Sequence, residues 1–296
     1  MDLILTYLGD DRKLSCSVQV LHLTLKRTSD GQDRFPNQFG PLHVSASWGL
    51  DEVLSLLLTK GIDINDQDSH GQTVLQVATK RGHESKVRLL LQNDATINIE
   101  NGNEETALYW AARSWHKSTV QLLVAEGANV MTKDNEGWTA LDSAVIGGKI
   151  EIMRLLQMLL DDGANVNEKD WIGSTALDWA APGGHEMTVE VLLRYGCDLK
   201  SRDKYENTAL HWAIQHEAIV RLLLANSADV NARNDCGQTA LFWVARDGPL
   251  SAAHILQRII MDEEQYIGLP ERVTETWCGC WQRVKLTSMR WIAGEG

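Results

Sequence analysis

The sequence predicts an all-α solenoid of about seven helix pairs that carry short β-hairpin fingers. Two observations predict this fold: a six-residue motif that returns along the chain, and the near-constant spacing between its copies. The motif TALDWA begins at Thr175, and near-copies begin at Thr106 (TALYWA), Thr208 (TALHWA) and Thr239 (TALFWV).

Less complete copies extend the series towards the N-terminus. TALDSA begins at Thr139, TVLQVA at Thr73 and GPLHVS at Gly40, so the marker positions are 40, 73, 106, 139, 175, 208 and 239. The steps between these markers are 33, 33, 33, 36, 33 and 31 residues. Such a period indicates a repeat architecture, in which each unit buries its apolar face only by stacking on its neighbours. Function is therefore expected on a surface.

Each repeat is predicted to contain a hairpin turn, a short inner helix and a longer outer helix, in that order. In the fifth repeat, Asp170 and Gly173 form the turn. Thr175 begins the inner helix, because its hydroxyl can accept a hydrogen bond from an amide left unpaired in the first turn. A Gly-His pair then reverses the chain, and the outer helix ends at Gly196.

Four repeats depart from this pattern in ways that predict local differences. Gln38, Glu104 and Glu206 replace the turn glycine of the other fingers, which predicts a different turn or backbone strain. The step of 36 residues in the fourth repeat predicts a longer outer helix, because three residues make nearly one turn. The step of 31 residues in the sixth repeat predicts a shortened helix pair.

Residues 134–167 and 170–200 contain nearly all of a longer repeat pattern. This pattern is Asp-x-x-Gly-x-Thr-x-Leu-x-x-Ala, followed by Gly-His, Val-x-x-Leu-Leu and Gly-Ala-Asn-Val-Asn. On these residues the chain resembles ankyrin repeat proteins from about Phe35 to Asp262. The TALxWA form is similar to the ankyrin arrays of filamentous fungi, including those attached to NACHT-type regulatory NTPases. The resemblance implies an ankyrin-repeat solenoid whose concave face grips a protein partner.

The ends of the chain lie outside the repeat pattern. Residues 1–34 are predicted to be an N-terminal cap or a remnant segment, residues 35–262 the ankyrin repeats, and residues 263–296 a C-terminal cap or flexible tail. The stretch from Ser17 to Leu58 looks like the junction between NTPase and repeats in NACHT-ankyrin proteins. The sequence contains no NTPase motif to accompany it.

Composition disfavours several classes of function. A net charge of -12 argues against direct nucleic-acid binding, which requires Lys and Arg gathered on one face. Five cysteines without regular spacing indicate a reducing compartment rather than a disulfide framework. No apolar stretch approaches the ~20 residues that cross a bilayer, and no signal peptide is recognised. We expect an intracellular monomer, cytoplasmic or nuclear, without membrane insertion.

Candidate catalytic and metal-binding residues do not form a complete set. Cys278 and Cys280 offer two thiolates, whereas a structural zinc site requires four ligands. His83 and His185 lie at the reversal between helices, where the ankyrin resemblance implies hydrogen bonds to the backbone. No catalytic residue, metal ligand or cofactor is therefore predicted.

Aromatic residues form two sets with different predicted roles. Tryptophans recur in the inner helices one residue before the small residue of the motif, and these are predicted to be core: Trp110, Trp179, Trp212 and Trp243. Aromatics in the fingers are predicted to anchor a partner, with packing on the neighbouring finger as the alternative. The predicted partner-binding residues, one to four positions before a marker, are His70, Gln72, Trp138, Trp171, Tyr205 and Asn207.

The sequence thus predicts a non-enzymatic protein–protein interaction module or scaffold. One alternative is a regulatory protein, such as a transcription co-regulator of a fungal biosynthetic gene cluster. Another is the detached ankyrin arm of a NACHT-type regulator. A hidden enzyme would need its site in the terminal segments, which are too short to build one.

Overall fold

A computed structural model describes residues 40–48, 50–146 and 152–267. Within these ranges, 14 α-helices follow one another as seven inner–outer pairs. The helices are α1 (Pro41–Trp48), α2 (Asp51–Thr59), α3 (Val74–Lys80), α4 (Glu84–Gln92), α5 (Ala107–Arg113), α6 (Lys117–Ala125), α7 (Ala140–Val145), α8 (Ile152–Asp161), α9 (Ala176–Ala180), α10 (Glu186–Arg194), α11 (Ala209–Trp212), α12 (Glu217–Ala225), α13 (Ala240–Asp247) and α14 (Leu250–Ile267).

Strand structure is limited to one isolated antiparallel bridge, between Gln67 and Thr73, within the ranges that the structure describes. The all-α solenoid of about seven helix pairs is therefore confirmed. The hairpin fingers are turns rather than strands of a sheet.

The helices divide into two compact units. The first contains α1 to α7 and the part of α8 from Arg154, and the second contains α9 to α14. In the first unit the inner helices α1, α3, α5 and α7 stack in sequence, as do the outer helices α2, α4 and α6. In the second unit α9, α11 and α13 form the inner stack, and α10, α12 and α14 the outer one.

The core of each unit consists of aliphatic side chains from adjacent helices. Leu54, Leu57 and Leu108 are at most 1% exposed in the first unit, and Leu177 and Leu192 in the second. Since the inner and the outer helices each stack on those of the next repeat, burial in each unit depends on stacking.

The marker threonines begin the inner helices as predicted. Residues 73, 106, 139, 175, 208 and 239 are all N-caps. Thr73 Oγ1 accepts from the Gln76 amide at 3.3 Å, and Gln76 Oε1 accepts from the Thr73 amide at 2.9 Å, which forms a reciprocal capping box. Asp178 and His211 complete the same box with Thr175 and Thr208.

The Gly-His reversals link consecutive repeats. The His216 ring lies against the Pro182 carbonyl at 3.0 Å, and the His83 ring lies 3.4 Å from the Ser47 carbonyl. Gly184 has a φ of +73°, and a Cβ there would meet the His216 ring at 2.7 Å. The reversal therefore requires glycine both for its backbone angle and for the approaching ring. The backbone-bonding role predicted for His83 is confirmed.

The irregular repeats differ from the others as their lengths predict. Helix α8 has 10 residues where the other outer helices from α2 to α12 have nine, and residues 147–151 before it lie outside the described ranges. Helix α11 has only four residues and continues as a 3₁₀ helix, Ala213–Gln215. Glu104 and Glu206 adopt left-handed φ values of 62° and 60° in their fingers. The predicted strain is therefore present at both glutamates, whereas Gln38 lies outside the described residues.

The predicted ends of the array are only partly described. Helix α14 extends to Ile267, past the predicted boundary at Asp262. The predicted caps at 1–34 and most of 263–296, including Cys278 and Cys280, lie outside the described residues.

Candidate partner-binding surface

One Asp or Asn closes each described finger. The six residues stand five positions before the markers and are Asp68, Asn101, Asp134, Asp170, Asp203 and Asn234. Each Oδ1 accepts from two finger amides, and in the sixth repeat the donors are the Tyr205 and Asn207 amides at 2.8 and 2.9 Å from Asp203. These short side chains therefore fold the fingers locally, as Asx turns do.

Backbone hydrogen bonds join consecutive fingers within each unit. In the first unit, the Gly102 amide donates to the His70 carbonyl at 2.9 Å. In the second, the Lys204 amide donates to the Ile172 carbonyl at 2.8 Å, and the next finger donates to the Tyr205 carbonyl at 3.1 Å. The fingers within a unit therefore form a continuous row.

This geometry divides the six predicted partner-binding residues. The positions three and four before the marker point to solvent: Trp171 is 73% exposed, Tyr205 is 48% exposed, and His70 is exposed. The position just before the marker is drawn inward, because its amide and carbonyl both bond to the closing Asp or Asn. Gln72 and Trp138 there are partly buried.

Asn207 also occupies the inward position and is only 8% exposed. Its Nδ2 donates to Asp203 Oδ2 at 3.3 Å, and its Oδ1 accepts from Asn234 Nδ2 at 3.0 Å. Asn207 therefore belongs to the packing between fingers, and we leave it out of the surface proposed below.

The inner-helix tryptophans are not enclosed in the core, so that prediction is wrong. Trp212 is 38% exposed, and Trp110, Trp179 and Trp243 are partly buried. In these helices the fully buried position is taken by the leucine of the motif, such as Leu177 at 1% exposure. The tryptophans instead lie at the boundary between the core and the fingers.

Two of these tryptophans are tied to the finger of their own repeat. Trp179 Nε1 donates to Asp170 Oδ2 at 3.1 Å, and Trp212 Nε1 donates to Asp203 Oδ2 at 3.2 Å. Each carboxylate thus uses one oxygen for the turn and the other for the indole. The sequence signal for this contact is an Asp nine residues before the Trp, which the repeat motif alone does not reveal.

The other two tryptophans lack that acceptor. Trp110 and Trp243 follow Asn101 and Asn234, whose Nδ2 atoms are donors and cannot accept from an indole. Both indole N–H groups are buried without a hydrogen-bond partner. A cation lies over each ring instead. The Lys80 Nζ is 3.7 Å from the Trp110 ring centroid, and the Arg246 Cζ is 4.1 Å from that of Trp243.

Burial shifts the pKa values of two titratable groups in the second unit, Asp178 and Cys197. Burial raises the pKa of Asp178 to about 6, although hydrogen bonds from Thr175 act in the opposite direction. Burial also raises the pKa of the Cys197 thiol to about 12, so this thiol is protonated at neutral pH and is a poor nucleophile.

No group of three or more His, Cys, Asp or Glu side chains within the described ranges could hold a metal ion. None of the described helices combines the length and the apolar character needed to span a bilayer.

Paired helices with hairpin fingers, repeated at a near-constant interval, define a helical-repeat protein of the solenoid class. Family models described as ankyrin repeats match residues 15–101, 94–170 and 156–234, and a further ankyrin model matches residues 215–257. The chain belongs to the ankyrin-repeat family. The first match begins at residue 15, before the predicted start at Phe35.

A solved structure agrees with the family. The chain is similar to the crystal structure of the ankyrin repeat domain of Bcl-3, described as a unique member of the IkappaB protein family, with a TM-score of 0.64 and 24% identity. The similarity covers 75% of this chain and 100% of that one, and at this identity it shows the fold alone. No curated protein matches the sequence significantly. The narrower resemblance to fungal and NACHT-linked arrays stays a prediction.

Proposed function

We propose that the chain is a non-enzymatic interaction module whose fingers hold a protein partner, as the ankyrin family suggests. The supporting observation is the exposure of two large aromatic side chains on neighbouring fingers, Trp171 at 73% and Tyr205 at 48%. Exposed aromatics are costly to leave in water and are enriched among the residues that dominate binding energy at interfaces. The finger row of the second unit is therefore the proposed partner-binding surface, on the side that is concave in ankyrin arrays.

The surroundings of the two aromatics suit an interface. The Lys204 Nζ lies 5.0 Å from the Tyr205 ring centroid, which places a cation beside the apolar surface. The backbone link from Lys204 to Ile172 holds the two fingers in register. A partner would therefore meet aromatic groups on a fixed support, which reduces the entropy lost on binding.

The test compares serine substitutions of exposed apolar side chains at two places in the second unit, the fingers and an outer helix. The whole chain is used for affinity purification from its native cells, with a Trp171→Ser/Tyr205→Ser variant beside it. Met187→Ser is the control, because Met187 is 42% exposed on the outer helix α10. A partner retained by the wild type and by the control, but reduced at least about 10-fold with the double variant, supports the proposal. Equal retention by all three proteins contradicts it.

Folding is measured in parallel by thermal unfolding. The double variant is expected to keep its unfolding midpoint, because both rings project into solvent. A large fall would mean that the aromatics stabilise the fingers, which was the alternative considered from the sequence.

A further inference from the structure

A pocket in the first unit lies between two fingers and two inner helices. Its volume is about 420 Å³, and its walls include Ser69, His70, Lys80, Asn103, Glu105 and Trp110. The pocket is distinct from the aromatic pair on the fingers of the second unit. Its composition is polar on the finger side and aromatic on the helix side.

Cations surround the indole of this pocket from two repeats. Lys80, the last residue of α3, places its Nζ 3.7 Å from the Trp110 ring centroid, and the Arg113 Cζ lies 6.0 Å from the same centroid. Neither side chain forms a salt bridge within the part of the chain that the structure describes. Arg113 donates instead to the neutral Tyr109 hydroxyl at 2.9 Å.

The equivalent cation of the second unit differs in one respect. Arg246 follows Trp243 by three residues, as Arg113 follows Trp110, and its Cζ lies 4.1 Å from the Trp243 ring centroid, but its guanidinium is paired with Asp247 at 2.6 Å. Arg113 has no such carboxylate partner within the described ranges, and the cation closest to the Trp110 ring is Lys80 of the preceding repeat.

The two carboxylates near Lys80 are buried and accept hydrogen bonds from other groups. Glu105 is 8% exposed, and its Oε2 accepts from Asn101 Nδ2 at 2.7 Å. Asp68 is 5% exposed and uses its Oδ1 for the finger turn. Burial lowers the pKa of the Lys80 ammonium. The charges of Glu105 and Asp68 act to raise this pKa, and those of Arg81 and Arg113 act to lower it. Carboxylates of the same chain therefore balance the positive charge of the Lys80 ammonium group only in part.

We propose that this pocket binds an acidic segment of a protein partner, with a Glu or Asp carboxylate against Lys80 and a neighbouring apolar side chain against Trp110. Charge complementarity carries this assignment, because Lys80 lines the pocket beside the aromatic wall without a salt bridge among the described residues, and Arg113 adds positive charge near the same indole from outside the pocket. Charge-assisted contacts to a carboxylate are the strong class of hydrogen bond. The proposal extends the proposed function to the partner's chemistry in the first unit.

The probe is a short rhodamine-labelled peptide of alternating glutamate and leucine, and the matched peptide has glutamine at each glutamate. Fluorescence anisotropy with the whole chain should show at least about 10-fold tighter binding of the glutamate peptide. Lys80→Met, which keeps an apolar stem on the indole, should weaken its binding about 5-fold to 10-fold, and Lys80→Arg should retain it.

Lys60→Met is the control, because Lys60 is an exposed lysine just after α2 and does not line the pocket. Equal binding of the two peptides overturns the proposal. An equal loss in Lys60→Met and Lys80→Met also overturns it, because the attraction would then be a general charge effect. This synthetic peptide tests the first unit, whereas partner capture tests Trp171 and Tyr205 in the second, so either can fail alone.

Discussion

The indole of Trp179 donates a hydrogen bond to Asp170 Oδ2 at 3.1 Å, which joins an inner helix to its own finger across nine residues. The other oxygen of the same carboxylate accepts from the Ile172 and Ser174 amides at 3.0 and 2.8 Å. One side chain therefore fixes both the shape of the finger and its attachment to the helix.

Asp170→Asn is expected to separate these two roles. Asn keeps an Oδ1 for the turn amides but presents a donor to the indole, which loses its acceptor. We expect a loss of about 1 to 2 kcal/mol in the free energy of unfolding, measured by urea denaturation, and a coupling of about 1 kcal/mol in a cycle with Trp179→Phe.

Asp68→Asn is the matched control for this substitution. Asp68 Oδ2 is buried without a hydrogen-bond partner, and Val77 occupies the position at which four other repeats have tryptophan. The same chemical change should therefore cost less there. If Asp170→Asn costs no more than Asp68→Asn, the indole contact contributes nothing to stability.

The fold could be predicted from the sequence because its signals are local. The marker threonines cap their helices through residues three positions away, and the interval between them sets the number of pairs. Glu104 and Glu206 were also predictable as strained positions, because they replace glycine at a known place in the finger.

The candidate surface was only partly predictable, because exposure depends on neighbouring repeats. Trp212 lies in the same motif as Leu210, yet it is 38% exposed and Leu210 is 2% exposed. Asn207 sits next to a marker like Trp138, but its amide is held by Asp203 and by the following finger. Motif position alone carries no information on these contacts between repeats.

Glu104→Gly is expected to stabilise the first unit. Glu104 has a φ of 62°, a left-handed conformation that costs a non-glycine residue about 1 to 2 kcal/mol, and part of this is offset by the greater freedom of glycine in the unfolded chain. We expect a net gain of about 0.5 to 1 kcal/mol by urea denaturation. Gly71→Ala provides the reverse case, because its Cβ would meet the Gly102 amide nitrogen at 2.7 Å. A gain in both variants would contradict this account of the fingers.

Leu177→Ala is expected to destabilise the second unit through the inner-helix core. Leu177 is 1% exposed, and its truncation should cost about 2 to 5 kcal/mol, with the loss reaching neighbouring repeats. Leu210→Ala should behave similarly at 2% exposure. Met187→Ala, on the exposed side of α10, should change the free energy of unfolding by less than about 0.5 kcal/mol. Chemical denaturation of the three variants checks this, and unchanged midpoints for the leucine variants would refute the core assignment.

Asp178 predicts a pH dependence of stability. Burial raises the pKa of the Asp178 carboxyl to about 6 from its ordinary value of 3.8, so the folded state binds its proton more tightly than the unfolded state. The stability that this group contributes is present in full below pH 3.8 and is lost as the pH rises through about 6.

The free energy of unfolding of the wild type, relative to Asp178→Asn, should therefore rise by up to about 3 kcal/mol as the pH falls from 7 to 4. Subtracting the variant removes the contribution of the other titrating groups. A constant difference between the two proteins would show that the Asp178 carboxyl titrates alike in the folded and unfolded states.

One link between neighbouring fingers uses main-chain atoms alone, namely the bond from the Lys204 amide to the Ile172 carbonyl. Every amino acid except proline supplies that donor, and every amino acid supplies the acceptor. The side chains at the finger tips can therefore be diversified while the register of the row is kept. Substitution at Trp171 or Tyr205 would therefore change the proposed binding surface without a new fold having to evolve.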